Sequence, residues 1–240
     1  MKRISALLIL AAIALPLFAG AVASTSWVAA FMDLAGIDDV VTIAPASLRH
    51  PPEYELTPSD VMTVLDADIF CYAGYERMMS TISSSLGKGG VSEKVKTENN
   101  LENVLSEAGR IAALQGTEPR TEEYEKAILE GRELVKEHGL DKLRVYVNIN
   151  QTPLAYDLGL SVTGVFGAGA LSASQIADAA SGNYDMIIDN VHNPVAGPAA
   201  EVSGLPMAIW RNFPERTGRD ALTEVIRGNI KALKEALEID

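Results

Sequence analysis

The sequence predicts an α/β protein of two lobes, each a mostly parallel sheet flanked by helices, with one long helix bridging them. Strand-like and helix-like segments alternate along the chain, which is typical of parallel sheets covered by helices. A long, highly charged helix, Thr121 to His138, interrupts this alternation near the middle. The alternation then restarts, so the second half repeats the organisation of the first.

The elements of the first lobe are predicted from short apolar runs and their capping signals. Gly36 fits the C-terminal cap of the first helix, Pro58 fits the first turn of the next one, and Asp60 complements the dipole of that helix. In chain order we expect a strand at Val22–Ser26, a helix at Trp27–Leu34, a strand at Val40–Ile43, a helix at Thr57–Leu65, a strand at Asp68–Tyr72, a helix at Tyr75–Leu86, a loop at Gly87–Gly90 and a helix at Leu101–Leu114.

The charged helix is predicted to be a strut between the lobes. It places charged residues such as Glu122 and Lys126 on exposed faces, with Tyr124 and Ile128 between them.

The second lobe repeats the pattern, with Ser172 as a candidate N-cap. The expected order is a strand at Leu143–Ile149, a helix at Leu154–Leu158, a strand at Leu160–Phe166, a helix at Ser172–Ala180, a strand at Met186–Ile188, a helix at Pro194–Val202, a strand at Pro206–Trp210 and an amphipathic helix at Asp220–Leu237. Ligands of open α/β sheets bind at the carboxyl ends of the strands, so the cleft between two such lobes is the expected site.

The N-terminus has the layout of a secretory signal. Lys2 and Arg3 precede an apolar run from Ile4 to Phe18 that is interrupted only by Ser5 and is followed by small residues. The alternative is an uncleaved signal that tethers the protein to a membrane. We divide the chain into a signal peptide (1–21), an N-terminal lobe (22–118), a linking helix (119–139) and a C-terminal lobe (140–240).

Composition narrows the classes of function. Apolar residues make up 48% and charged residues 22% of the chain, as in a folded globular protein, and the formal net charge is -12. So acidic a protein repels phosphate backbones, which argues against nucleic acid as a partner. The single cysteine, Cys71, lies in an apolar strand-like run and is expected in the core, and no disulfide can form within the chain.

The segment from His50 to Asp60 resembles the signature of the TroA-like metal-binding proteins of ABC importers, which reads roughly D-P-H-x-Y-E-P-T-P-S-D. Other matches follow in family order, at Ala23–Trp27, Asp66–Phe70, Gly74–Glu76, Asp189–Pro194 and Thr223–Ile230. The resemblance implies two α/β lobes bridged by one long helix, in agreement with the pattern above. The match to the family's first strand favours signal cleavage after Ala21, because a later cut would enter that strand.

The resemblance also implies a metal site of three histidines and one carboxylate, or of two and two. In the family register the first histidine falls on Pro52, while His50 lies two residues earlier. The region of the second holds no histidine, and Glu98 is the candidate oxygen ligand there.

The other two ligand positions fall on amides or near them. The third family ligand aligns with Asn148, and the fourth falls near Arg211 or Asn212. The candidate metal ligands are therefore His50, Glu98, Asn148 and Asn212. Since an asparagine offers only a neutral carbonyl oxygen, this set suits tight zinc capture poorly and suits a polar solute or a hydrated ion better.

The resemblance implies an extracytoplasmic solute-binding protein of an ABC importer, in the periplasm or at the cell surface. Its expected ligand is zinc or manganese, and its expected partner is the permease, with the chain itself a monomer. In the alternative the protein keeps the fold but has a degenerate metal site, and it binds a non-metal polar solute or acts as a non-transport accessory protein. An enzyme is not expected, because no nucleophile elbow, zincin run or Walker lysine occurs.

Overall fold

A computed structural model describes residues 20–48, 53–82 and 91–239. It contains two four-stranded sheets in which every pair of neighbouring strands is parallel. The strand order is β2-β1-β3-β4 in the N-terminal lobe and β6-β5-β7-β8 in the C-terminal lobe, so both sheets have one topology. The strands are β1 (Ala21–Ala23), β2 (Val41–Thr42), β3 (Ile69–Tyr72), β4 (Val91–Lys94), β5 (Arg144–Asn148), β6 (Ser161–Phe166), β7 (Met186–Asn190) and β8 (Met207–Trp210).

Helices cover these sheets and confirm the predicted fold class. Two of them begin with a capping box, in which Thr57 pairs with Asp60 and Ser172 pairs with Gln175. The helices are α1 (Ser26–Leu34), α2 (Pro58–Leu65), α3 (Met79–Ile82), α4 (Leu101–Gln115), α5 (Glu122–Glu137), α6 (Thr152–Asp157), α7 (Ala173–Ala179), α8 (Gly197–Ser203) and α9 (Ala221–Ala236), with short 3₁₀ turns at Leu140–Lys142 and Ile149–Gln151. In the described ranges no helix is long and apolar enough to cross a membrane.

Helix α5 bridges the two lobes. At its start the Arg120 backbone N–H donates to the Leu34 carbonyl of the N-terminal lobe at 2.7 Å. Its end leads through a 3₁₀ turn into β5, the first strand of the other lobe. Tyr124 and Ile128 are fully buried in an apolar core that continues through both lobes. The helix lies within the predicted range 119–139, and the proposed lobe boundaries stay predictions.

Hydrogen bonds between the lobes fix their spacing. The Ser26 hydroxyl donates to the Pro214 carbonyl at 2.7 Å, and the Asn99 side-chain amide donates to the Asn212 carbonyl at 2.6 Å. A third bond runs from the Asp220 backbone N–H to the Asp33 carboxylate at 3.1 Å. We call these three bonds the inter-lobe braces, and all three join segment 212–220 to the N-terminal lobe.

The structure corrects three predicted elements of the N-terminal lobe. Strand β1 ends at Ala23 rather than Ser26, because Thr25 caps α1 by accepting a hydrogen bond from the Val28 N–H. The helix expected from Tyr75 begins only at Met79, since the residues before it form a tight turn. Strand β4 was not expected from the sequence.

Part of the predicted N-terminal organisation cannot be compared with the structure. Residues 1–19 of the expected signal peptide and the expected loop Gly87–Gly90 lie outside the described residues. Ala21 pairs with Ile69 in β3, so cleavage after Ala21 would remove one residue from the ladder of β1.

Candidate ligand-binding cleft

A cleft of about 680 Å³ lies between the lobes, at the carboxyl ends of their strands. Both lobes contribute side chains from the loops that follow these strands. The lining residues are Thr25, Trp27, Glu53, Tyr75, Thr97 and Glu98 from the N-terminal lobe, and Ile149, Asn150, Thr152, Pro153, Ala168, Asn190, His192, Asn193, Asn212 and Phe213 from the C-terminal lobe.

A buried carboxylate shapes the N-terminal wall. Glu76 is 3% exposed, and its carboxylate accepts hydrogen bonds from the Ser24 hydroxyl, the Ala73 N–H (2.8 Å) and the Gly74 N–H (2.6 Å). It therefore joins the loop after β3 to the end of β1, where the strand order reverses. This clamp holds Tyr75 in a non-helical turn at the edge of the cleft.

A second buried carboxylate, that of Asp189, joins two strands beneath the C-terminal wall. Asp189 is fully buried and accepts from the Asn148 side-chain amide (3.2 Å) and from the backbone N–H groups of Asn190 (2.8 Å), Val195 (2.8 Å) and Ala196 (2.7 Å). It joins β7 to the end of β5. Four hydrogen bonds satisfy a charge that would otherwise be costly to bury.

Three neighbouring aromatic rings, which we call the aromatic shelf, lie along the cleft. The His192 imidazole stacks on Phe213 at a centroid distance of 3.5 Å and an angle of 10°, and Phe213 contacts Trp27 at 5.8 Å. The Trp27 indole N–H donates to the Asn99 side-chain carbonyl at 3.1 Å. Since Trp27 belongs to one lobe and the other two rings to its neighbour, the shelf is continuous across the lobe boundary.

Asn212 presents an acceptor that no described residue satisfies. Its side chain is 6% exposed, and its Oδ1 atom is buried without a hydrogen-bond partner among the described residues. The backbone carbonyl of the same residue accepts from Asn99, so the position of Asn212 is fixed by a brace. Buried polar atoms are nearly always paired in folded proteins, so an acceptor without a partner among the described residues is unusual.

Carboxylates reach the cleft only from the N-terminal lobe, among the described lining residues. Glu53 and Glu98 line it, and Glu98 forms an ion pair with Lys96 at 3.0 Å while its side chain stays 39% exposed. The polar side chains of the opposite wall are amides, the His192 imidazole and the Thr152 hydroxyl, and apolar residues lie between them. The cleft therefore has one acidic side and one neutral polar side.

The structure places the predicted site residues at different positions relative to the cleft. Glu98 and Asn212 both line the cleft. Asn148 is fully buried beneath it, where its amide donates to Asp189 and its carbonyl accepts from the Asn150 N–H at 3.1 Å. The structure therefore gives Asn148 a packing role and brings Asn150 to the cleft in its place. His50 and Pro52 lie outside the described residues, although Glu53, the next described residue, lines the cleft.

Several cleft residues were not predicted from the sequence. Asn150 and Asn190 end or follow strands of the second sheet, so the rule that ligands bind at carboxyl ends would have found them. Trp27, His192 and Phe213 come from distant parts of the chain, and no local pattern connects them.

The described residues contain no group of three or more histidines, cysteines, aspartates or glutamates placed to hold a metal ion. A structural or transported zinc ion is normally held by about four such ligands. The described donors alone therefore do not complete a coordination sphere.

Comparisons with known proteins agree with the architecture. No protein-family model and no curated protein matches the sequence. Among solved structures, the fold is similar to that of a manganese-bound periplasmic metal-binding protein from Candidatus Liberibacter asiaticus (16% identity, TM-score 0.65, 90% of this chain and 98% of that one). It is also similar to the SBP FpvC of Pseudomonas aeruginosa in complex with Ni²⁺ (14%, TM-score 0.67, 91% and 97%). A third is the laminin-binding protein Lmb of Streptococcus agalactiae, described as an adhesin with metal-transporting activity (19%, TM-score 0.66, 91% and 99%).

Proposed function

We propose that the chain is the extracytoplasmic ligand-binding subunit of an ABC importer and that its cleft captures a metal cation, with zinc and manganese the first candidates. The observation that carries this proposal is the two-lobe fold, which the chain shares over nine-tenths of its length with a manganese-bound periplasmic metal-binding protein, the Ni²⁺-bound SBP FpvC and an adhesin with metal-transporting activity. The cleft lies where ligands of such sheets bind. The function is capture and delivery to a permease rather than catalysis.

Charge supports a cationic ligand. The protein carries a formal net charge of -12, and Glu53 and Glu98 add local negative charge to one wall of the cleft. Carboxylate oxygens suit manganese and zinc. His50 is the proposed additional ligand from the segment that precedes Glu53.

Isothermal titration of metal-free protein with Zn²⁺ and Mn²⁺ tests the proposal. We expect saturable binding and a higher melting temperature, because a ligand at 100 times its Kd adds about 2.7 kcal/mol to the free energy of unfolding. Glu98→Gln should weaken binding, whereas Glu201→Gln, at an exposed position of α8, should not. The absence of heat and of any thermal shift with these ions and Ni²⁺, free or chelated, would refute metal capture.

The location and the permease are proposed on the same basis. The apolar N-terminus should direct export, so fractionation of cells that express the full chain should find it outside the cytoplasm. Retention of the full-length chain in the cytoplasm would contradict this part of the proposal.

One observation favours a second candidate, a non-metal polar solute. The C-terminal wall offers mainly neutral amides, and the described residues lack a cluster of three metal ligands. Under this alternative a thermal shift appears with organic solutes and not with metal ions.

A further inference from the structure

The two sheets end in four edge strands, and three of these carry features that discourage pairing with a further strand. Strand β2 has only two residues, the Arg110 guanidinium donates to the Lys94 carbonyl of β4 at 2.8 Å, and the pairing of β6 with β5 has a register shift. Short length, charge and bulges are the usual means by which proteins protect a sheet edge. Strand β8 differs, because its four residues are all apolar and its register with β7 is unbroken.

The hydrogen bonds of β8 show which of its backbone groups face away from the sheet. The Val191 N–H donates to the Trp210 carbonyl at 2.9 Å, so Trp210 directs its backbone groups to β7. Because these directions alternate along a strand, Ala208 does the same, while Met207 and Ile209 point their N–H and C=O groups outward. We call Met207 and Ile209 the open pair.

Side chains occupy the backbone at both ends of the open pair. Beyond one end, Asn229 of α9 accepts from the Arg211 N–H at 2.8 Å and donates to the Arg211 carbonyl at 2.7 Å, as a neighbouring strand would. Beyond the other end, the Ser203 hydroxyl accepts from the Leu205 N–H at 3.3 Å. Between these points, no hydrogen bond from a described residue reaches the outward groups of the open pair.

The space beside this edge is accessible. The side chain of Ile209 is 44% exposed, and that of Val202, near the end of α8, is 62% exposed. A groove of about 430 Å³ is lined by Ile209 and by residues of α9 such as Ala221. Ala208 and Trp210 belong to the core that includes α9, so Ile209 lies on the other face of the sheet. A groove that both sides line therefore passes around the outer edge of β8.

A second copy of this chain matches the open pair. With a two-fold axis through Ala208, two antiparallel β8 strands place Met207 of each copy opposite the partner's Ile209. Each such pair exchanges two N–H···O=C bonds, so four hydrogen bonds use every outward group of both open pairs. A shift in either direction would bring in Arg211 or Leu205, whose groups are already bound to side chains, and would leave fewer bonds. The occupied ends therefore select one register.

The same arrangement covers the groove and leaves the clefts apart. Because the strands run antiparallel, the partner's turn from Gly204 to Pro206 comes opposite Arg211, beside the groove. The carboxyl ends of the two joined sheets point in opposite directions, so the two clefts open at opposite ends of the joined sheet.

We infer that this chain forms a two-fold dimer through β8, in which the two C-terminal sheets join into one sheet of eight strands. The inference goes beyond the proposed function and departs from the monomer that the family resemblance implies. The paired strands contain no charged residue, while each copy carries a formal net charge of -12. Backbone hydrogen bonds and apolar contact therefore act against electrostatic repulsion, and added salt strengthens the association by screening it.

Sedimentation equilibrium of the protein isolated from expressing cells tests the dimer. We expect the mass to rise from that of one chain toward that of two as the protein concentration approaches about 1 mM, and to rise further with salt. Ile209→Lys places a charge in the open pair and should weaken association about ten-fold or more, whereas Val165→Lys, at a 45% exposed position of the opposite edge strand, should not. A mass of one chain at every concentration, weaker association at higher salt, or unchanged association in Ile209→Lys would overturn the inference.

Cysteine variants test the register itself. Met207→Cys and Ile209→Cys would lie opposite each other in the dimer, at a Cα separation of about 5.5 Å that a disulfide spans. A mixture of the two variants under mild oxidation should therefore give a covalent dimer on non-reducing gels. Either variant alone should give little, because its two thiols lie diagonally, with Cα atoms more than about 7 Å apart. The native Cys71 is buried, and Val165→Cys serves as the control. Cross-linking of the mixture no stronger than that of the control or of the single variants would overturn the assignment.

Discussion

The two lobes share a scaffold and differ in what they present to the cleft. Both sheets have the same strand order, and in each a buried carboxylate joins the third strand to the end of the first. Glu76 does this in the N-terminal lobe and Asp189 in the C-terminal lobe. Yet the N-terminal lobe lines the cleft with Glu53 and Glu98, whereas the C-terminal lobe lines it with amides and an imidazole.

This difference separates carboxylates that build the site from those that face the ligand. Asp189 accepts four hydrogen bonds and Glu76 accepts three, so most of the lone pairs of these two buried carboxylates are already used within the protein. The side chain of Glu98 is 39% exposed, and its partners Lys96 and Asn100 both contact the Oε2 atom. Acidic residues near a cleft therefore have to be sorted by their partners before any is called a ligand.

The largest expected effect compares the two clamps. Asp189→Ala leaves four buried donors unpaired and should lower the free energy of unfolding by about 4 kcal/mol, while Glu76→Ala leaves three and should cost about 2–3 kcal/mol. Urea unfolding followed by circular dichroism measures both, with the exposed Glu201→Ala as the control, expected within about 0.5 kcal/mol of the parent. If Glu76→Ala lowered the free energy of unfolding more than Asp189→Ala, the number of unpaired donors would not explain the losses.

A second comparison uses the glycines that end the first helix of each lobe. Gly36 and Gly159 have nearly equal positive φ angles, +83° and +85°. A Cβ at Gly36 would lie 2.1 Å from the Glu118 carbonyl oxygen, whereas one at Gly159 meets no described atom within 4 Å. We expect Gly159→Ala to cost about 1 kcal/mol, from backbone strain alone, and Gly36→Ala about 3 kcal/mol, because overpacking adds to the strain. Equal losses in thermal unfolding would show that the contact with Glu118 relaxes freely.

The smallest expected effect is a pH dependence of opposite sign in the two lobes. In the N-terminal lobe, burial raises the pKa of Asp33 above 3.8, although the hydrogen bond from Asp220 and the charge of Arg120 oppose this. In the C-terminal lobe, the hydrogen bonds from Arg144 lower the pKa of Asp185 to about 2.

The signs follow from which state binds more protons. Folded Asp33 holds its proton above pH 3.8, so its contribution to stability falls as the pH rises through its folded pKa. Asp185 contributes stability that is complete above about pH 4 and is lost as the pH falls toward 2. Asp33→Asn, which keeps an acceptor for Asp220, should therefore raise the melting temperature at pH 7 but not at pH 3. Asp185→Asn should lower it slightly at pH 7, by less as the pH approaches 2. A melting-temperature series from pH 2.5 to 7 measures both, and shifts of the same sign at pH 7 would contradict the assignment.

Most of the fold follows from local pattern because the elements carry their own signals. Thr57 and Asp60 form the predicted start of α2, and Ser172 caps α7 as expected. Strand β4 was missed because Val91 is its one apolar residue, and its pairing with β3 depends on backbone hydrogen bonds that any sequence can make. The early end of β1 was missed because an N-cap and a strand end both favour extended backbone.

The cleft was harder to predict because its members meet only in three dimensions. A count along the sequence selected Asn148. In the structure Asn148 is fully buried beneath the cleft, whereas Asn150, two residues later, lines it. Glu98 and Asn212 were chosen from the family's ligand positions and do line the cleft, and their role as metal ligands stays a prediction. The stacking of His192 on Phe213 depends on how two loops pack, which no spacing in the sequence reveals.

The inter-lobe braces contribute to the free energy that is needed to separate the two lobes. Parting the lobes along segment 212–220 breaks three hydrogen bonds, at about 1 kcal/mol each, and also the contact between Trp27 and Phe213, so the widened form would make up less than about 1% of molecules. Nearly all molecules therefore have the conformation in which the braces are intact. Binding to this conformation is not weakened by the free energy of populating a rare one. Under the proposed function, release of a bound ligand would therefore require the inter-lobe braces to break.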